Sequence, residues 1–204
     1  MNNRVLNFAL VFVMAIALAT PVWADDLGEA ISAYQEGEHD KALRLLEPMA
    51  RNGNAGAQFY LAMMYNNGQG VEADIPRTVS LLKKAARHGH STSLYLLGKF
   101  YAAGRGVEQD TGKTRRLWTR AGNKGELEAQ TGLAQFYASG GDMKRAAQWW
   151  RKAAKQGDAE SQFQLGLIYM SGAGLKKNTR SARSWWKKAA AQGHPQAQAA
   201  LQNS

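Results

Sequence analysis

The sequence predicts an all-α fold, a right-handed α-solenoid of helix-turn-helix repeats closed by a C-terminal capping helix. Three ladders of residues in common register carry this prediction. Five tyrosines, Tyr34, Tyr65, Tyr101, Tyr137 and Tyr169, are spaced 31, 36, 36 and 32 residues apart. Five glycines, Gly53, Gly89, Gly125, Gly157 and Gly193, follow at spacings of 36, 36, 32 and 36. Between them run Ala42, Thr78, Thr114, Ala146 and Ala182, in step with the glycines. A sustained period of this length marks stacked supersecondary units, none of which buries its apolar face alone.

Residues 1–24 read as a secretory signal peptide. Arg4 precedes an apolar run from Val5 to Ala19, then Pro21 and small residues leading to a cleavage point expected after Ala24. The run is 15 residues long, short of the ~20 that span a bilayer. The expected location is therefore the periplasm or beyond it, with no integral membrane insertion after cleavage. Residues 25–204 then form one solenoid domain, long enough to bury a core. Its hairpins are expected at about 25–54, 55–90, 91–126, 127–158 and 159–194, with the cap at 195–204.

Within each hairpin the residues alternate between large and small. Leu61-Ala62, Leu97-Gly98, Leu133-Ala134 and Leu165-Gly166 precede a tyrosine by four and three positions. They share a face of the first helix and offer a close-approach point to a neighbour. In the second helix Thr78/Leu82/Ala85, Thr114/Trp118/Ala121, Ala146/Trp150/Ala153 and Ala182/Trp186/Ala189 form one apolar stripe. Asp74, Asp110, Asp142 and Asn178 are placed to cap its start, and the ladder glycine to end it in a left-handed conformation. In the doublets Trp149-Trp150 and Trp185-Trp186, the second tryptophan falls on the stripe. The first lies about 100° round the helix, where it widens the buried face. After Gly193, "HPQAQAALQNS" repeats the start of a first helix and stops, as a polar cap would. Five hairpins and a cap make about eleven helices.

These stretches resemble Sel-1-like repeats, the longer-looped relatives of tetratricopeptide repeats. The similarity is carried by "AQFYLAMMYNNGQGVEADIPRTVSLLKKAARHGH", "LYLLGKFYAAGRGVEQDTGKTRRLWTRAGNKGE" and "SQFQLGLIYMSGAGLKKNTRSARSWWKKAAAQGH". It runs from about Leu27 to the end. The first and fourth hairpins lack the four-residue loop extension and look more like plain tetratricopeptide hairpins. The resemblance implies a non-enzymatic scaffold or adaptor in envelope assemblies, polysaccharide export, motility or host contact. A cysteine-rich branch of the family is linked to β-lactam recognition with weak hydrolase activity, and this chain lacks the paired cysteines of that branch.

The chain contains no cysteine. Thiol catalysis, cysteine-based metal sites and lipidation at the signal peptide are thereby excluded. The formal net charge is +10, unevenly spread. Residues 25–60 hold seven acids against three bases, a net of −4, and residues 141–204 hold eleven bases against three acids, a net of +8. Such a field steers anionic partners to the C-terminal half. An exported protein rarely meets nucleic acid, so none is expected as a partner.

No motif points to catalysis or a cofactor. "GQGVEAD" and "GRGVEQD" lack the strand and the Lys-Ser/Thr of a phosphate loop and recur with the repeat, as inter-helix turns. His88 and His90 flank a helix-ending glycine without a third ligand, so no metal is expected. Glu126, Glu128, Asp158 and Glu160 sit at helix starts, where they complement the dipole. Two surfaces remain as candidates. Positions two and six before each tyrosine face the concave wall expected of such solenoids: Phe59 and Met63, Tyr95 and Lys99, Thr131 and Gln135, Phe163 and Leu167. A protein or peptide segment from the cell envelope is the expected occupant. The pairs Lys83-Lys84, Arg151-Lys152 and Lys187-Lys188 form a candidate basic ridge, suited to an acidic cell-envelope polymer.

Overall fold

The structure, a computed structural model, describes residues 23–203. The signal peptide expected at 1–24 lies, but for Trp23 and Ala24, outside the described residues. Eleven helices and no strand occur among the described residues. They pair as α1 Trp23–Gln35 with α2 His39–Arg51, α3 Ala55–Asn67 with α4 Ile75–Arg87, and α5 Ser91–Ala103 with α6 Thr111–Asn123. Then come α7 Leu127–Ser139 with α8 Met143–Lys155, α9 Ala159–Ser171 with α10 Thr179–Ala191, and the single α11 Pro195–Gln202. Each helix packs on the one before and the one after it, which makes a solenoid.

The hairpin loops follow from their caps. The carboxylates of Asp74, Asp110 and Asp142 and the Asn178 amide oxygen accept from backbone N–H groups of Arg77, Lys113, Arg145 and Ser181 at 2.7 to 2.9 Å. The backbone N–H of each capping residue donates to the carbonyl of the ladder tyrosine, Tyr65, Tyr101, Tyr137 or Tyr169. One residue thus fixes both the start of the second helix and the end of the first, whatever the loop length between them. The ladder glycines Gly125 and Gly157 have φ of +98° and +101°, a conformation open to glycine and strained for other residues.

The large residue of each second helix meets the small residue of the first. Leu46, Leu82, Trp150 and Trp186 are buried. A Cβ at Gly98 would lie 2.4 Å from Nε1 of Trp118, and one at Gly166 2.2 Å from Nε1 of Trp186. That proximity lets the indole N–H groups donate to the carbonyls of Tyr95 and Phe163, at 3.0 and 3.2 Å. Among the first-position tryptophans, Trp149 is buried at 9% exposure. Trp185 is half-buried, so it widens the core less than expected.

Successive hairpins are also tied by a polar clamp. Gln58, Gln130 and Gln162 are buried and donate to the carbonyls of Ala50, Gly122 and Ala154 in the preceding second helix, at 2.8 to 3.1 Å. These carbonyls lie in the last turn, where no N–H of the same helix reaches them; each also accepts from the N–H of the ladder glycine, Gly53, Gly125 or Gly157, at 3.2 Å, so the glutamine adds a second bond. At the third hairpin the equivalent residue is Leu94, and there Arg120 Nη2 donates to Ala86 O at 3.3 Å. Arg120→Ala is therefore expected to cost about 1 kcal/mol, and adding Leu94→Gln to restore it. Urea unfolding of the single and double variants checks this; a double variant no more stable than Arg120→Ala would refute the clamp.

Candidate functional site

The sequence-selected wall residues do not form one continuous strip. Tyr95, Lys99, Thr131 and Gln135 come together, on α5 and α7, around a hollow of about 420 Å³. Trp118 forms part of its wall, with Glu128 and the small residues Ala102, Ala103 and Gly132. Gly132 explains why a hollow exists here: the same repeat position carries Tyr60, Leu96 and Gln164 elsewhere. A Cβ at Gly132 would lie 3.2 Å from Cζ3 of Trp118, so the missing side chain leaves the indole open to a ligand.

The site is mixed in chemistry and firmly supported. The Trp118 ring stands 5.9 Å from that of Tyr95, its N–H held by the Tyr95 carbonyl. Lys99 Nζ lies 5.8 Å from the centre of the Tyr95 ring. Burial, reinforced by the Glu128 and Glu126 charges, raises the Tyr95 phenol above its ordinary pKa, so it stays a neutral donor and acceptor. Thr131 Oγ1 donates back to the Leu127 and Glu128 carbonyls. One cation, one carboxylate, an amide, a phenol and an indole around a shallow hollow suit a polypeptide, which offers both backbone polar groups and apolar side chains.

The other wall residues are placed differently. The Phe59 ring lies tilted against the imidazole of His90 at 4.9 Å, and the Phe163 ring stacks on that of His194 at 4.8 Å. Both histidines are N-caps: Nδ1 accepts from the backbone N–H of Ser93 in one case and Ala197 in the other. His90 and His194 thus hold the helix start and cover the phenylalanine of the preceding hairpin. Asn54 and Asp158 cap at the same position. Burial lowers the pKa of His90, against the opposing Glu126 charge, which keeps the ring neutral and able to accept. Met63 is half-buried, and Leu167 is an exposed large hydrophobic residue at 39%. Among the described residues no group of three or more His, Asp or Glu side chains is placed to hold a metal.

The first two basic doublets straddle their helices. Lys83 leans forward over Tyr101 of the next hairpin, while Lys84 lines a hollow of about 210 Å³ shared with Glu47 and Arg51 of the preceding one. Arg151 Nη2 donates forward to the Tyr169 hydroxyl at 2.8 Å, while Lys152 Nζ donates back to Asn123 at 2.7 Å. Lys187 is exposed, and Lys188 Nζ lies 4.4 Å from the Trp185 ring centre. The two members of a pair differ by about 100° round the helix, so they serve different inter-helix grooves.

Comparison with known proteins agrees with this architecture. The Sel1 repeat family model matches five times, over residues 26–54, 55–90, 91–126, 127–158 and 159–194. No curated protein sequence matches the chain. Among solved structures, a Sel1 repeat protein from Oxalobacter formigenes is 28% identical with a TM-score of 0.73, covering 86% of this chain and 73% of that one. A protective antigen present in uropathogenic Escherichia coli strains, displaying an SLR fold, is 28% identical with a TM-score of 0.78, over 88% of this chain and 40% of the antigen. An immunity protein from Pseudomonas aeruginosa shares the fold alone, at 20% identity and a TM-score of 0.54, over 87% of this chain and 68% of that one. Sel1 repeat proteins generally mediate protein–protein interaction and are typically non-enzymatic. Matched over five consecutive hairpins that stack as the ladders require, the chain belongs to the Sel1 repeat family.

Proposed function

We propose that this protein is an exported, non-enzymatic scaffold that holds a peptide or protein segment of a cell-envelope partner in the hollow beside Tyr95. The observation that carries the reading is Gly132, which leaves the Trp118 indole and the Tyr95 phenol accessible between α5 and α7. Elsewhere the corresponding position is filled by a larger side chain. The N-terminal pattern of Arg4, apolar run and Ala24 supports export, and no helix among the described residues is long and apolar enough to cross a membrane.

The test is capture from a periplasmic extract on the immobilised purified chain. Tyr95→Ser removes the ring that lines the hollow, and Gln135→Trp, at an exposed position, fills it without touching the core. Both are expected to reduce recovery of the same partner at least tenfold, on the order of 1.4 kcal/mol, with far-UV circular dichroism unchanged. Capture at parental levels by Gln135→Trp would overturn the reading. Phe163 is a poor choice for this test, because its stack on His194 makes it part of the repeat junction. The full-length chain is further expected in the periplasmic fraction with Asp25 as first residue, by intact mass.

A further inference from the structure

We propose that the groove between α4 and α6 is a second docking site, which takes an extended acidic polypeptide segment carrying one apolar side chain. It shares no lining residue with the hollow beside Tyr95 and stands independently of that reading. The groove has a volume of about 490 Å³. Lys83 and Arg87 line it from α4; Lys113, Arg116 and Arg120 line it from α6. No carboxylate is among its lining residues. The carboxylate at its edge, Asp110, caps α6 and lies 3.2 Å from Lys113, so it offsets one of five charges.

The preceding hairpin shows the same groove with three cations and one carboxylate, so one of its charges is answered. Between α2 and α4, Glu47 stands where Lys83 stands one repeat later, and it bonds at 2.7 Å to Arg51, the counterpart of Arg87. At α4 and α6 the counterpart of that carboxylate is itself a cation. Five cations that repel one another around one groove favour any carboxylates brought to them. Arg120 is already fixed by its bond to the Ala86 carbonyl. The Tyr101 ring lies between the ammonium groups of Lys83 and Lys113, whose Nζ atoms are 6.0 and 4.9 Å from its centre. The rim is thus set before a ligand arrives.

Shape selects the ligand's conformation. Lys83 and Arg87 are one helical turn apart, as are Lys113, Arg116 and Arg120 in succession, so each row repeats at about 5 to 6 Å. Side chains on one side of an extended chain recur at about 6.5 Å, so alternate carboxylates reach successive cations of a row. α4 and α6 both pack on α5, whose Leu97 and Tyr101 also line the groove, so a segment seated there meets both rows of cations. Ala86, Leu97 and Leu117 add an apolar lining. That lining favours a polypeptide, whose carboxylates can flank an apolar side chain, over a uniformly charged phosphate polymer.

The experiment is fluorescence anisotropy of the purified chain with a labelled synthetic peptide of Asp and Glu residues around one central Phe. Binding is expected in the micromolar range at low salt, weakening several-fold when Phe is replaced by Gly. Lys83→Glu, which installs the residue type already present at Glu47, combined with the exposed Arg116→Glu, is expected to weaken binding at least tenfold. Lys187→Glu with Lys188→Glu makes the same change of charge elsewhere and is expected to weaken it less than twofold. Tyr95→Ser is expected to leave it unchanged. The proposal is overturned if both charge-reversal pairs cost the same, since binding then follows only the overall field. It is equally overturned if inorganic polyphosphate outcompetes the peptide and the Phe makes no difference, or if the groove variant merely abolishes concentration-dependent self-association of the chain.

Discussion

Trp149→Ala is expected to lower the unfolding free energy by about 3 to 5 kcal/mol, as much as Trp150→Ala. The two side chains are 9% and 6% exposed, and Trp149 does its packing across a repeat junction. A Cβ built on Gly122 of α6 would lie 2.9 Å from Cζ3 of Trp149, so the ring occupies space that an alanine methyl fills in other repeats. The counterparts of Trp149 in the first three hairpins are Leu45, Leu81 and Leu117, and those of Gly122 are Ala50, Ala86, Ala154 and Ala190. A larger residue on α8 is matched by a smaller one on α6. Lys152 Nζ, 4.0 Å from the ring centre, covers its outer side.

The same logic separates Trp149 from Trp185. Ahead of Trp185 the junction carries Ala154 rather than glycine, and Trp185 is only half-buried. Trp185→Ala is accordingly expected to cost about 1 to 2 kcal/mol, since less apolar area returns to water. A loss under ~1 kcal/mol for Trp149→Ala in urea unfolding would show that its ring is surface and available to a ligand.

How much of this was legible in the sequence depends on whether a feature lies within one hairpin or between two. The tyrosine and glycine ladders, the capping acids and the apolar stripe are internal to a hairpin, and helical periodicity alone places them. The clamp formed by Gln58, Gln130 and Gln162 is nearly as periodic. It is not legible in the sequence, because a glutamine among apolar residues reads as surface and Leu94 breaks the series. His90 and His194 share a repeat position with Asn54 and Asp158; their capping role depends on the backbone of the following turn. For the candidate site, Tyr95, Lys99, Thr131 and Gln135 were legible as one face of neighbouring first helices. That Phe59 and Phe163 are covered by imidazoles was not, since the covering residue belongs to the next hairpin. Gly132 was present as a departure from the repeat, and such departures are where this structure opens a hollow or seats a larger ring.

Gly166→Ala is expected to destabilise the protein by about 2 to 3 kcal/mol, and its sign is the informative part. Within a helix, replacing glycine by alanine ordinarily gains up to about 1 kcal/mol from backbone propensity. At Gly166 the new methyl would lie 2.2 Å from Nε1 of Trp186. The indole must therefore move, losing both its fit and its bond to the Phe163 carbonyl. The chain itself contains two accommodated pairs: Ala62 with Leu82 in the second hairpin, and Ala134 with Trp150 in the fourth, all buried, so an alanine can face a tryptophan where the indole has its own seat. Trp186→Leu combined with Gly166→Ala recreates the first of these pairs at the last full hairpin. The double variant is expected to be more stable than the sum of the single losses by about 1 to 3 kcal/mol. Strict additivity would mean that glycine is tolerated at 166 rather than required by the tryptophan. A positive coupling would instead show that repeats in this family vary by exchanging size across the hairpin, which conserves core volume while side chains change.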